Sequence, residues 1–165
     1  MDIVYIETSI VSHATARPSS DTQIAAVQQQ ARTWWAVEGP NFQIVTSQLV
    51  VDEASAGDPA AAADRLKLLD GVPTVPVDND VRALAREMVS ASIMPPQAAA
   101  DALHVAAAAV AGVQYLLTLN CKHIANAHEL PRIYKLLVEY GYGQLLICTP
   151  AEFLGGEEDD EEPDS

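Results

Sequence analysis

One helix that has to be buried constrains everything else this chain can fold into. From Pro96 to Gly112 the sequence is alanine, leucine and valine, interrupted only by Gln97, Asp101 and His104. Alanine has the highest helix propensity, and its short side chain lets neighbouring backbones come close. Apolar residues lie nearly all the way round such a helix, so it packs on several sides. Asp101 then has two readings. It can sit on the one exposed face, where its charge suits the first turn, or it can be buried and need a partner or a metal to compensate it. The helix alone does not choose between them.

Short apolar strands are available to cover this helix. Residues 3–6, 42–45, 75–77, 114–118 and 145–148 read as strands, the third short or near an edge because of Pro76. Between them lie helical segments: 22–37, opened by Asp21 or Thr22 as a cap; a helix capped by Ser47 and broken at Gly57, Asp58 and Pro59; then 60–69, 78–90, 96–112 and 130–140. Pro150 opens a final turn. Ile24, Val27, Ala31, Trp34 and Trp35 form one helical stripe, so the tryptophans read as core or interface anchors, and the pair offers a homodimer contact. Strands of four or five residues alternating with helices predict a parallel α/β sheet with helices on both faces.

The chain has 165 residues, enough for one domain that buries about two-thirds of its unfolded surface. Its boundaries are expected at 1–154, with 155–165 a solvated, disordered acidic tail. That tail matters for the charge. The net charge is −14, but seven acids lie within 157–164; removing them from the 23 acids leaves 16 against 9 bases, or −7 for the body. An acidic body argues against strong non-specific nucleic-acid binding. A local basic rim is still available from Arg17, Arg32, Lys122, His123, His128, Arg132 and Lys135. Cys121 and Cys148 have neither metal-type spacing nor a disulfide framework. The N-terminus lacks a basic n-region and there is no long apolar run, so the expectation is a cytoplasmic protein with no membrane span.

In open α/β sheets, ligands bind outside the carboxyl ends of the strands, near the point where strand order reverses. Glu7 directly follows the first strand and Asn120 follows strand 114–118, so both should reach that edge. Glu53 lies on the helix after the second strand beside Asp52, and only one of the two can point inward. Asp101 opens a helix that follows another helix, so connectivity does not fix its edge. Each residue has a plainer role: Glu7 as a solvated loop acid, Asn120 as a turn former, His104 as a satisfied core histidine. Lys122 and His123 are phosphate contacts or ordinary loop residues. Oxygen ligands without a His/Cys cluster favour Mg2+ or Mn2+ over zinc. Carboxylates holding such ions at a sheet edge suit phosphodiester hydrolysis.

The order and context of these residues resemble the PIN domain, particularly the VapC-like toxin ribonucleases. The matching pieces are Tyr5-Ile6-Glu7-Thr8-Ser9, the run from Ser47 to Gly57 around Glu53, Asp101-Ala102-Leu103-His104-Val105-Ala106, and the run from Leu116 to Ile124 around Asn120. The resemblance covers nearly the whole chain to about Leu154. It implies a three-layer α/β/α sandwich with a central, mostly parallel sheet. It also implies a Mg2+- or Mn2+-dependent endoribonuclease that hydrolyses phosphodiester bonds of single-stranded RNA, the toxin of a toxin–antitoxin pair with an antitoxin protein as partner. Carried over, Glu7, Glu53 and Asp101 are the catalytic, metal-holding acids and Asn120 is a fourth ligand. Thr8 and Ser9 are hydroxyls beside the first acid. By its spacing, not the resemblance, His104 stands three residues beyond Asp101 on the same helix face, a core or outer-contact histidine sooner than a catalytic base.

Two departures bear on this. Glu7 is one methylene longer than the aspartate many relatives carry, and Asn120 removes one negative charge, which weakens divalent-cation binding. The alternative is therefore a catalytically weak PIN-like module that binds RNA or a protein. A metal-dependent phosphatase on a similar sheet is less well supported, because no Asp-x-Asp follows the first strand.

Overall fold

Val4, Tyr5 and Ile6 are completely buried, which is what a strand covered on both faces requires. They belong to β1 (Ile3–Ile6), the middle strand of a five-stranded sheet. The structure is a computed structural model and describes residues 1–154. The other strands are β2 (Gln43–Ser47), β3 (Thr74–Val75), β4 (Tyr115–Leu117) and β5 (Leu146–Cys148). Their order is β3-β2-β1-β4-β5, and every pair is parallel. Tyr5 aligns with Val45 on one side and Leu116 on the other.

The helices are α1 (Thr8–Thr15), α2 (Thr22–Thr33), α3 (Gln48–Ala54), α4 (Pro59–Leu68), α5 (Asn79–Ser90), α6 (Ala99–Val110), α7 (Leu130–Glu139) and α8 (Pro150–Leu154). Strands β1 to β3 step one way across the sheet, and β4 and β5 lie on the other side of β1. Right-handed crossovers therefore put α1–α4 on one face and α5–α7 on the opposite face. Packing agrees: α1 touches α2, α3 and α4, while α5 and α6 lie along each other. The result is the expected three-layer α/β/α sandwich, with a fully parallel sheet.

The alanine-rich helix is as enclosed as its composition demands, with Ala102 and every residue from His104 to Ala109 buried. Its end is set by Gly112, whose φ of +72° a side chain would strain. There the amides of Gly112 and Val113 close onto Ala109 and Ala108, turning the chain into β4. Asp21, Asp58 and Asp78 cap α2, α4 and α5 through their carboxylates.

Several elements differ from the sequence reading. Helix α1 was not anticipated: eight residues are too few for a clear apolar period, and Glu7 rather than Ser, Thr, Asp or Asn caps it. The expected helix 22–37 ends at Thr33 and continues as a π-helical turn over Trp34–Glu38. That turn coincides with a fully buried Trp34, stacked on Phe42 with ring centroids 5.9 Å apart and met edge-on by Phe153. Trp34 is thus a core anchor, with no surface left for a partner; Trp35 is half-buried. Ser47 stands at the start of α3 but gives no side-chain cap, because its hydroxyl turns inward to Tyr5. The acidic run at 155–165 lies outside the described residues.

Candidate active site

Strand order reverses between β1 and β4, so a crevice opens outside their carboxyl ends. Glu7 is the first residue beyond β1, and its amide bonds to the Leu117 carbonyl at the end of β4 (3.1 Å). Despite its charge it is only 4% exposed. It stays there because hydrogen bonds replace water. The Ser9 amide donates to Oε2 (3.0 Å), Thr118 Oγ1 donates to Oε1 (2.6 Å), and Ser9 Oγ also donates to Oε1. Both hydroxyls accept in turn: Ser9 Oγ from the Leu119 amide (2.8 Å), Thr118 Oγ1 from the Asn120 amide (3.0 Å). Glu7 is therefore tied to the loop after β4 by two hydroxyl bridges.

Glu53 is held differently. Helix α3 brings it beside α1 and α6, where Thr8 Oγ1 donates to its Oε1 (3.2 Å) and His104 Nε2 bonds the same oxygen. Its side chain is 43% exposed, whereas that of His104 is only 1% exposed. Burial works against ionisation of Glu53, but the hydrogen bond of His104, its charge when the imidazole is protonated, and Thr8 in support hold its carboxyl below the usual range. Asp52 instead turns outward to Gln48 Nε2 (2.8 Å), so of the two neighbouring acids Glu53 faces the site.

Asp101 lies in the first turn of α6, half-buried, so both of its sequence readings hold in part. Burial raises its pKa first of all. Asn120 opposes this by hydrogen bonding, the charge of Glu7 adds to the rise, and His123 and His104 counter it. Asp101 thus lies within electrostatic reach of Glu7 and close to Asn120. The Asn120 Oδ1 accepts from the His123 amide (3.1 Å), so toward Asp101 it can offer only its NH2 group. Asn120 is thus both the turn former and a neighbour of the site.

The structure brings together Glu7, Glu53, Asp101, Asn120, Thr8, Ser9 and His104, with His123 close by. Lys122 is exposed on the same loop and contributes only its carbonyl, to Asn126 Nδ2. Of the expected basic rim, Arg132 is engaged with Glu129 and the Ala91 carbonyl. Three contributors escaped the sequence reading: Thr118, Tyr5 and Ser47. For Tyr5 a signal existed, since a phenol in a central strand needs a partner for its hydroxyl.

The donor set, carboxylate oxygens without thiolates, suits a hard divalent cation. Among the described residues, ion pairs are confined to His104–Glu53 and Arg132–Glu129, so neither Glu7 nor Asp101 has a cationic side chain paired with it. Also among the described residues, no three His, Cys, Asp or Glu side chains are gathered tightly enough to enclose an ion. No helix of the described chain is long and apolar enough to cross a membrane.

No family model matches the chain, and no curated protein does. Among solved structures it is similar to one described as a member of the VapBC family of toxin–antitoxin systems, VapBC-5 from Mycobacterium tuberculosis. The identity is 15%, the match covers 90% of this chain and 99% of that one, and the TM-score is 0.49. A likeness of that size fixes no activity.

Proposed function

We propose that this chain is a metal-dependent endoribonuclease of the PIN type, hydrolysing phosphodiester bonds of single-stranded RNA at the carboxyl edge of β1 and β4. One observation carries the reading: Glu7 and Asp101, one buried and one half-buried, lie within reach of each other's charge, with no lysine or arginine paired to either among the described residues. Burying like charges without a counter-charge is costly, and a divalent cation is the compensation such a pair lacks. Glu7, Glu53 and Asp101 would hold Mg2+ or Mn2+, and Asn120 would add at most a neutral oxygen. The chemistry such an ion supplies when bound is polarisation of the scissile phosphate and activation of the attacking water. Ser9 and Thr118 fix the Glu7 carboxylate, Thr8 and His104 fix Glu53, and His123 adds a group able to meet phosphate.

A groove between α5 and the start of α6 supports a polyanionic substrate. Arg82 and Arg86 rise from its largely apolar lining, which includes Ala99 and Leu103 of the helix that carries Asp101. By this reading the protein acts in the cytoplasm as the toxin of a toxin–antitoxin pair, restrained by an antitoxin protein, and a homodimer contact would have to avoid Trp34. The test is cleavage of single-stranded RNA with and without Mn2+, by the wild type and by Asp101→Asn. Equal cleavage by the two proteins would end the proposal.

A second reading is favoured by Asn120, whose oxygen serves the His123 amide: a PIN-like module with weak or no catalysis that binds RNA or a protein. Asn120→Asp separates the two. A large gain in Mn2+ affinity and cleavage would identify the natural site as a weakened one.

A further inference from the structure

A line of buried polar groups runs behind Glu53, and the nuclease reading uses only its outer link, from His104 to Glu53. Ser47 Oγ lies 2.6 Å from the Tyr5 hydroxyl, that hydroxyl lies 2.9 Å from His104 Nδ1, and His104 Nε2 bonds Glu53 Oε1. Ser47 and Tyr5 are fully buried and His104 nearly so, which makes the carboxylate the outer end of the line. The four residues come from β2, β1, α6 and α3, so the line crosses from the sheet to the site.

When the His104 ring is neutral, the ends of the line determine its proton positions. A carboxylate only accepts, so His104 Nε2 must carry a hydrogen. With a neutral ring, Nδ1 is then an acceptor, and the Tyr5 hydroxyl must donate to it. Burial, the largest influence on Tyr5, pushes its pKa far up, so the phenol keeps its proton. Its oxygen is left to accept from Ser47. Each group donates once toward Glu53, and no donor is left over. This also accounts for Ser47 giving up the capping role its position at the head of α3 offers.

We propose that Tyr5 and His104 are positioning residues that hold the Glu53 carboxylate in place for the cation, with Ser47 anchoring the inner end of the line. The role rests on Glu53 belonging to a cation site, as the nuclease reading holds. Metal-site carboxylates and histidines depend on such outer partners, whose loss weakens metal binding by about 10- to 100-fold. Thr8 touches Glu53 from the solvent side but is tied to nothing behind it in the described hydrogen bonds.

The test combines calorimetric Mn2+ titration with nitrogen NMR of the His104 ring, on the full chain above the ordinary imidazole pKa. In the wild type the ring should carry its proton on Nε2. Tyr5→Phe, which deletes one hydroxyl and keeps the ring, should mix the two tautomers and weaken Mn2+ binding by about 10-fold. His104→Ala should weaken it as much or more. His104→Gln, whose amide can still donate to Glu53, should recover part of the loss. Ser47→Ala provides the same comparison should Tyr5→Phe fail to fold. An Nδ1 proton in the wild type would overturn the proposal. So would unchanged Mn2+ affinity in Tyr5→Phe while Glu53→Gln lowers it, and in that case the cation site survives and only the line of support falls. No Mn2+ binding by the wild type, or unchanged binding by Glu53→Gln, would remove the cation role of Glu53 and this proposal with it.

Discussion

Glu7 and Glu53 stand at the same edge of the sheet and are held by opposite means. Glu7 is almost fully buried, and its partners are two hydroxyls and a backbone amide, all neutral. Glu53 is exposed on one side, and its main partner is a buried histidine that can carry charge. Neutral donors let a carboxylate stay buried without cancelling its charge, so Glu7 still presents a negative field to whatever sits beside it. The histidine gives Glu53 a direction more than a shelter. Of the two, Glu7 is the one with no cationic partner among the described residues, and Glu53 the one open to solvent.

The largest expected effect separates these roles. Glu7→Gln should lower Mn2+-dependent RNA cleavage by more than about 100-fold, beyond what supporting residues usually contribute. Glu53→Gln, with its partly solvated group, should lower it by about 10-fold under the same single-turnover conditions. Equal losses would mean that both carboxylates do the same work.

Next comes stability, read by urea denaturation. Thr118→Val deletes a donor to buried Glu7 and an acceptor for the Asn120 amide, and should destabilise the fold by about 2 kcal/mol. Thr8→Val removes only a 3.2 Å contact to the exposed side of Glu53 and should change stability by under about 0.5 kcal/mol. A similar loss in both would show that Glu53 is anchored from the solvent side as firmly as Glu7 is from within.

A smaller effect runs in the stabilising direction. Because burial and Glu7 raise the Asp101 pKa, its ionised form opposes folding above the ordinary aspartate value of 3.8, and increasingly so up to the raised folded pKa. Asp101→Asn should therefore abolish cleavage yet raise the metal-free melting temperature by about 1–3 °C at neutral pH, solvent screening limiting the gain. The gain should disappear below pH 3.8. Glu53 has the opposite sign: its lowered pKa gives stability that is present above the ordinary value of 4.5 and is lost as pH falls through the folded pKa. The melting-temperature difference between wild type and Glu53→Gln should shrink in acid by about 1 °C or less, the smallest of these effects.

How much of this was legible in the chain follows the range of the interactions. The strands, the enclosed alanine helix and the caps at Asp21 and Asp78 rest on local pattern, and they stand where the sequence placed them to within a few residues, while Asp58, read as part of a break, caps α4. Helix α1 and the π-turn at Trp34 were not legible. One is too short for periodicity, and the other accompanies packing against Phe42 and Phe153, residues distant in sequence from at least one partner. At the site, Glu7 and Asn120 followed from their places after strands. Helical phase alone left Glu53 and Asp52 both open, and it was the resemblance that chose Glu53; the positions of α6 and α1 give the physical reason, since His104 and Thr8 meet Glu53 while Asp52 turns to Gln48.

By itself, then, the sequence determined a parallel α/β chain with acids at strand ends and a helix too apolar to be exposed. Hydrophobic periodicity and turn chemistry act over a few residues and can be read from them. Only the tertiary structure decided which hydroxyl meets which carboxylate: Thr118 with Glu7 across 111 positions, and His104 with Glu53 across 51. Those pairings depend on strand order and on which face each crossover takes. Asp101 shows the division most plainly, since its helix was legible from alanine alone, while the charge of Glu7 that acts on it stands just past a strand nearly a hundred residues earlier.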